Sequence, residues 1–462
     1  MNSASYFEPS ETSRLWDTLG RVLERLSTTE SDNFGVTIAA PLLPPAQVFL
    51  AMPNEPAMLW AASPDCCEVG LGISTQCDGF GPDRLLSIIE RAEHALHSFQ
   101  SVGVGAAAAE PKCFGGFSSA PLNHPSSHWR NFAEAEFTVP RILFRSAANR
   151  AAWTLFVSRH EILDALNRQK YIDQLRRLAS LSPNVHVAQK VPSLQKRSDN
   201  PDRESWARHV ALACQLLDAG ELEKVVLARE MLLVCSSQPE VAPILERLLG
   251  RRDGTVCFAL RRGSATFLGA TPERLVSRRG SRIVTEALAG SAAANDSVAL
   301  RKLLSDGKNR LEHSLVVREI VARLNELGAQ VDVPQDPELR QFGPLIHLHT
   351  SLEARKLAAP HVLLLGERLH PTPAVGGLPV QQALDFIRSH EAFDRGRYAS
   401  PIGWFDANGD GELAVALRSG LLTGREVRLY AGAGLVQGSE ADSEWNETDL
   451  KFQSFLDALG LR

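Results

Sequence analysis

Two pairs of apolar runs, each closed by a short turn, constrain the fold of this chain more than any other feature. Thr255–Leu260 and Ala265–Gly269 flank Arg261-Arg-Gly-Ser264, and Glu412–Leu422 and Glu426–Ala433 flank Thr423-Gly424. A short turn returns the chain beside itself, so each pair reads as an antiparallel hairpin. Lys224-Val-Val-Leu-Ala-Arg229 and the apolar residues after it read as a buried strand. Helical patterns surround these strands. Trp206, Val210, Ala213 and Leu217 recur at helix spacing, with Gly220 offering a C-terminal cap. Leu300–Leu327 is a long helical pattern ending at Gly328, and further helical stretches follow from Val362 and over Ala383–His390. Long helices among antiparallel strands indicate α+β rather than an alternating parallel sheet.

A length of 462 residues suggests two or three domains. Residues up to about Lys190 are rich in Ala, Pro and short strand-like pieces such as Pro111–Phe117, and Val191–Glu204 is polar and reads as a surface connection. The net charge of -5 and the pI near 6.3 give no polybasic surface, which excludes nucleic acid as an expected partner. The longest apolar runs, such as Val362–Leu365, are too short to span a membrane, and the N-terminus lacks the basic-then-apolar pattern of a secretory signal. The expected location is the cytoplasm. Seven cysteines without a CxxC pair argue against zinc and dithiol chemistry and for reduced, mostly buried thiols. No extended heptad seam is visible, so a monomer is expected.

Several runs carry candidate chemistry. Glu444, Glu447 and Lys451 stand at i, i+3 and i+7, which places them on one helix face. Two carboxylates and an ammonium there can hold a hard cation beside an anion; taken alone, the stripe reads as a solvated surface. Tyr430–Gly434 precedes it, with bare backbone at Gly432 and Gly434. Lys224 at the start of an apolar strand is either a snorkelling end residue or a desolvated amine. Glu273 follows a proline in Gly269–Leu275, and Glu312 sits mid-helix in Asn309–Val317, where an unpaired carboxylate would be costly. Asp406–Gly411 imitates an EF-hand opening, but Leu417 stands where the twelfth-position Glu belongs, so it reads as a tight turn. No GxxxxGK[ST] phosphate loop and no GxSxG nucleophile elbow is present.

Together these runs resemble the chorismate-utilising enzymes, the family of isochorismate, salicylate, anthranilate and aminodeoxychorismate synthases. The resemblance runs from about Trp206 to the C-terminus. It adds His347 in LIHLHTSLEA, Leu369–Gly377, Asp394–Trp404 and Val415–Ser419, while Gly115-Gly-Phe117 is the weaker N-terminal match. It implies one large α+β unit of two face-packed antiparallel sheets flanked by helices, in place of two or three domains. Residues 1–190 would be its N-terminal part and residues 205–462 the chorismate-binding catalytic region. Lys224 matches the lysine of members that add water to chorismate, and Ala289 departs from the aminodeoxychorismate branch.

The resemblance therefore implies an isochorismate synthase, with salicylate synthase as the alternative and a non-catalytic scaffold of the same fold behind both. Lys224 would be the base and Glu273 the acid. Glu312 and Glu447, with Glu444 beside them, would hold Mg²⁺. Gly290, Ser291, His347, Ala374, Arg418, Gly432 and Lys451 would meet the substrate. Three positions depart from the family's pattern: Asn309 for an acidic residue, Ser400 for Gly, and no proline in Ser439–Ser443.

Overall fold

Both hairpins form, and one of them differs from its expected extent. The computed structural model describes residues 9–461 apart from 64, 119–127, 182–191, 252, 296–302, 304–306, 356 and 358–359. Val256–Arg262 pairs antiparallel with Ala265–Thr271 around Gly263, whose φ of +55° suits a glycine. Ser419–Thr423 pairs with Glu426–Leu435 around Gly424. The run Glu412–Leu422, however, is not one strand. Gly411–Val415 ends, and the chain bends before Ser419, with Arg418 at φ +50°. The apolar Ala416 and Leu417 continue the strand-like pattern through the bend. Bonds from distant backbone override it: the Ala416 N–H donates to the Ser400 carbonyl at 2.9 Å, and the Ala399 N–H to the Ala416 carbonyl at 3.1 Å. Asp406–Gly411 is the expected tight turn, its Asp406 carboxylate accepting from the N–H groups of Asn408 and Asp410.

Trp206, Val210, Ala213 and Leu217 are the buried face of the helix Arg203–Asp218, and Gly220 follows at φ +72°. The long helix is Gly307–Glu326; residues 300–302 and 304–306 of its expected start lie outside the described residues, as do residues 182–191, where the two sequence textures meet. Val362–Leu369 and Val380–His390 are helices. Within the polar stretch read as a connection, Leu194–Asn200 is a strand, paired antiparallel with Glu230–Cys235. Backbone bonding to a buried neighbour suffices to hold a polar strand, which then borders solvent.

Among the described residues, 21 strands join in one hydrogen-bonded network, antiparallel except where Asn33–Ala40 meets Phe99–Val104. The ladder starts at Lys224–Cys235 and passes through Glu426–Leu435, Ser419–Thr423, Ala265–Thr271, Val256–Arg262 and Ala57–Ser63 to Cys66–Gly79. From there it runs through Ala135–Ala147, Lys112–Phe117, Pro401–Asp406, Gly411–Val415, Arg274–Arg279 and Arg282–Ala293 to Leu345–Arg355. The two halves bury one shared apolar cluster, with Phe258, Phe267 and Leu421 from the first and Phe114, Phe137, Phe405 and Leu413 from the second. Each such side chain contributes roughly 1.5–3 kcal/mol of transfer free energy. A second cluster packs the helices Pro9–Leu26, Ala165–Ala179 and Ala441–Leu459 on the first half. Ala57–Ser63 pairs with Val256–Arg262 and Lys112–Phe117 with Pro401–Asp406. Early and late sequence are therefore woven into a single α+β domain, and the length-based expectation of several domains does not hold. Among the described residues, no helix is long and apolar enough to cross a membrane.

Candidate active site

Lys224 opens the first strand of the network and is 1% exposed, so it is a desolvated amine and not a snorkelling end. Its Nζ donates to Glu312 Oε1 at 2.9 Å, which also answers the cost of placing Glu312 on the inward side of Gly307–Glu326. Gly434 makes the room: a Cβ there would stand 2.6 Å from Glu312 Oε1 and 3.0 Å from Lys224 Cε. The loop carrying Ala374 docks against the same strand, the Val226 N–H donating to the Gly376 carbonyl at 2.8 Å.

Glu273 lies between the strands Ala265–Thr271 and Arg274–Arg279 and is 3% exposed. Its turn is locked locally, because Pro272 offers no N–H and Thr271 Oγ1 accepts the Glu273 N–H at 3.2 Å while donating to the Val415 carbonyl at 2.6 Å. Burial pushes the Glu273 carboxyl up to about 7, against the Thr372 hydroxyl that donates to it at 3.3 Å and the opposing charges of Lys224 and Arg418. It is thus an acid able to hold its proton near neutrality, across from a buried amine.

The closing helix, Ala441–Leu459, is not a solvated face. Glu444 is 3% exposed. Glu447 Oε1 accepts from Ser291 Oγ at 2.9 Å and from Lys451 Nζ at 2.6 Å, and Lys451 also donates to the Gly432 carbonyl at 2.7 Å. Burial pushes the Glu447 carboxyl up, but the Lys451 charge and the two donors carry it below the usual carboxylate range. The Ser291–Glu447 bond joins the far half of the network to the helix covering the near half.

Gly290 makes that bond possible. It takes φ +71° at a bulge where the register slips between Ala289 and Ser291, bringing Ser291 opposite His347. A Cβ on Gly290 would meet Asn309 Oδ1 at 3.4 Å. His347 Nδ1 lies 3.2 Å from the Gly290 carbonyl, and Nε2 has no hydrogen-bond partner among the described residues. Burial, then the charges of Arg418 and Lys451, push this imidazole down to about 3, so it is neutral. Arg418 forms no ion pair among the described residues; burial pulls it down to about 10, while Tyr398, Glu447 and Glu273 hold its charge.

The structure thus couples Lys224 to Glu312, places Glu273 within the field of Lys224 and Arg418, and links Ser291, Glu447, Lys451 and Gly432 in one chain of bonds. Among the described residues, no three His, Cys, Asp or Glu side chains form a ready cation cluster. Lysines occupy two of the three carboxylates the resemblance assigns to a metal, Glu312 and Glu447. Three further groups belong to the site. Thr372 touches Glu273 directly. Tyr398, whose phenol burial pushes up to about 12, places its hydroxyl 3.3 Å from where a Gly432 Cβ would be. Gly434, whose bare backbone the sequence already marked, is two residues beyond Gly432 and so on the same strand face, where it makes room for Lys224 and Glu312.

Comparison with known proteins adds relatives to this geometry. A family model described as chorismate binding enzyme matches residues 21–460. Isochorismate synthase MenF of Bacillus subtilis (strain 168) is 34% identical over 405 residues, covering 85% of each chain. The salicylate biosynthesis isochorismate synthase of Pseudomonas aeruginosa is 35% identical over 432 residues, covering 90% of this chain and 88% of the relative. The solved structure of MenF, the menaquinone-specific isochorismate synthase from Escherichia coli, superposes with a TM-score of 0.77 at 28% identity, covering 97% of this chain and 100% of that one.

Proposed function

Because the chain belongs to the chorismate binding enzyme family, we propose that it is an isochorismate synthase, an isomerase that converts chorismate to isochorismate. Water adds at C2, the ring double bond shifts, and the C4 hydroxyl leaves as water. The observation that carries this reading is the pairing of a buried amine, Lys224, with a buried acid, Glu273, that keeps its proton up to about pH 7. Lys224, reacting as the neutral amine, takes a proton from the attacking water, and Glu273 gives its proton to the departing C4 oxygen. The two groups return to their starting states by exchanging that proton with solvent.

Arg418, without a competing ion pair among the described residues, offers a planar fork for one substrate carboxylate. Lys451 adds a point charge, and Gly290, Ser291, Ala374 and Gly432 line the approach with backbone and small side chains. His347, neutral and with Nε2 free among the described residues, faces the ring as an acceptor or donor of one hydrogen bond.

Mg²⁺ fits the donor set: Glu312 and Glu447 offer hard oxygens, Glu447 is held ionised, and Glu444 is buried one turn away. Bound there, Mg²⁺ would hold the ring carboxylate and balance its charge. Glu312 and Glu447 would hold the cation, and Lys224, beside Glu312, would act on the water. Asn309, neutral where the resemblance implies an acid, leaves these ligands in place.

Residues 205–462 then form the chorismate-binding catalytic region, and residues 1–190 complete the same unit. All seven cysteines are free thiols, which suits a reducing cytoplasm. We assign the chain there as a monomer. Incubation with chorismate and Mg²⁺, with the products separated by chromatography, tests the reading. Isochorismate alone is the expected product. Salicylate with pyruvate would make the chain a salicylate synthase, and an absence of turnover would reject both.

A further inference from the structure

The strand that carries Lys224 has an interrupted edge. On one side it pairs with Glu426–Leu435 from Val225 to Val234. On the other side Leu194–Asn200 covers Glu230–Cys235, and Gly377–Leu378 covers Lys224 and Val225. Between those two partners, residues 226–229 have no strand beside them on that side among the described residues. A buried strand edge needs partners for its N–H and C=O groups.

The Gly376 carbonyl accepts the Val226 N–H, and two side chains take the Val226 carbonyl and the Ala228 N–H. Glu391 Oε1 accepts the Ala228 N–H at 2.7 Å. Arg395 Nη2 donates to the Val226 carbonyl at 2.9 Å, and its Nη1 to the Val375 carbonyl at 2.9 Å. The pair also clamps itself, with Arg395 Nε on Glu391 Oε2 at 2.7 Å and Nη2 on Oε1 at 2.5 Å. Their side chains are 5% and 15% exposed, so the bonds are shielded from water. Val226 is two residues from Lys224, Val375 is next to Ala374, and Ala228 is paired with Gly432, whose carbonyl holds Lys451.

We infer that Glu391 and Arg395 are positioning residues for the isomerisation: they replace a missing strand segment and fix Lys224 against the Ala374 loop. This rests on the reading of Lys224 as the base. Neither side chain reacts; each acts through the backbone it holds.

Hydrogen–deuterium exchange and steady-state kinetics on the full chain test it with Glu391→Ala, Glu391→Gln and Arg395→Lys. In Glu391→Ala the Ala228 amide loses its acceptor and exchanges at least about tenfold faster, while the ladder to Glu426–Leu435 stays protected. The displaced strand lowers kcat by about 10- to 100-fold with the chorismate KM within about threefold. Glu391→Gln keeps an acceptor oxygen, so Ala228 stays protected and most of kcat returns. Arg395→Lys loses the fork whose two nitrogens reach separate carbonyls, so kcat falls while Ala228 stays protected; this variant and Glu391→Gln decide the matter if Glu391→Ala does not fold. Unchanged exchange at Ala228 in Glu391→Ala overturns the inference. So does faster exchange with undiminished kcat, and so does a loss of protection along the whole strand with kcat and KM worsening together. If the wild-type chain does not turn chorismate over, the functional reading falls, and the exchange data alone decide whether the brace exists.

Discussion

Gly434→Ala places one methyl group between Lys224 and Glu312. Its Cβ would stand 2.6 Å from Glu312 Oε1, 3.0 Å from Lys224 Cε and 3.4 Å from Lys224 Nζ. Ordinary contact starts near 3.4 Å, so the carboxylate must retreat by about 0.8 Å. The atoms in the way are the ends of flexible side chains, so the backbone stays and the ion pair yields. A 2.9 Å contact stretched that far leaves hydrogen-bonding range. Removing one partner of a buried pair costs about 3–5 kcal/mol; a partner that retreats costs less, about 1–2 kcal/mol, or a few degrees in Tm. Catalysis is more sensitive, because a misplacement of about 1 Å can cost 10²-fold. Isochorismate formation, followed by chromatography, should therefore fall about 100-fold in kcat, with Tm by scanning fluorimetry lowered only slightly. A kcat within about twofold of wild type would mean that Lys224 and Glu312 need not hold this geometry, and the assignment of both would fail.

Thr372→Val removes the hydroxyl that holds Glu273 down, so its carboxyl rises above about 7. The working form is the protonated one, present below that pKa and lost above it. The basic limb of the kcat profile should then move to higher pH, and an unmoved limb would assign it to another group. Acid should destabilise the fold through four buried histidines, His313, His347, His361 and His370, and the half-buried His128, which burial pushes down to about 3 or 4. Their folded values lie below the unfolded 6.5, so stability is full above that pH and is lost as pH falls toward the folded values; urea midpoints at pH 7 and pH 5 measure the loss. Excess EDTA should abolish turnover and added Mg²⁺ restore it, whereas full activity in EDTA would remove the metal from the scheme.

What sequence alone carried was local. Trp206, Val210, Ala213 and Leu217 fall on one buried face because helix periodicity depends only on near neighbours. The hairpin around Gly263 was legible for the same reason. Arg418 was not: its φ of +50° belongs to a bend where Ala416 bonds to Ser400 and Ala399, and nothing in Gly411–Ser419 announces those bonds. Glu447 and Lys451 carried a helix stripe but no burial, since their partners Ser291 and Gly432 come from other strands. The polar Leu194–Asn200 lacked alternation because strand pairing, and not a buried face, holds it.

The pairing of early with late sequence also governs how the chain acquires its fold. Phe114 to Gly116 of Lys112–Phe117 can meet Ile402–Trp404 only after nearly three hundred further residues have been made. The strand of Lys224 likewise waits for Glu426–Leu435. During synthesis both offer unpaired backbone edges with apolar faces, the species on which wrong strands add. Contacts this distant also slow the search for the native pairing. The nascent chain therefore depends on delayed collapse or chaperone cover until its last strand emerges, and refolding yield should drop steeply with protein concentration.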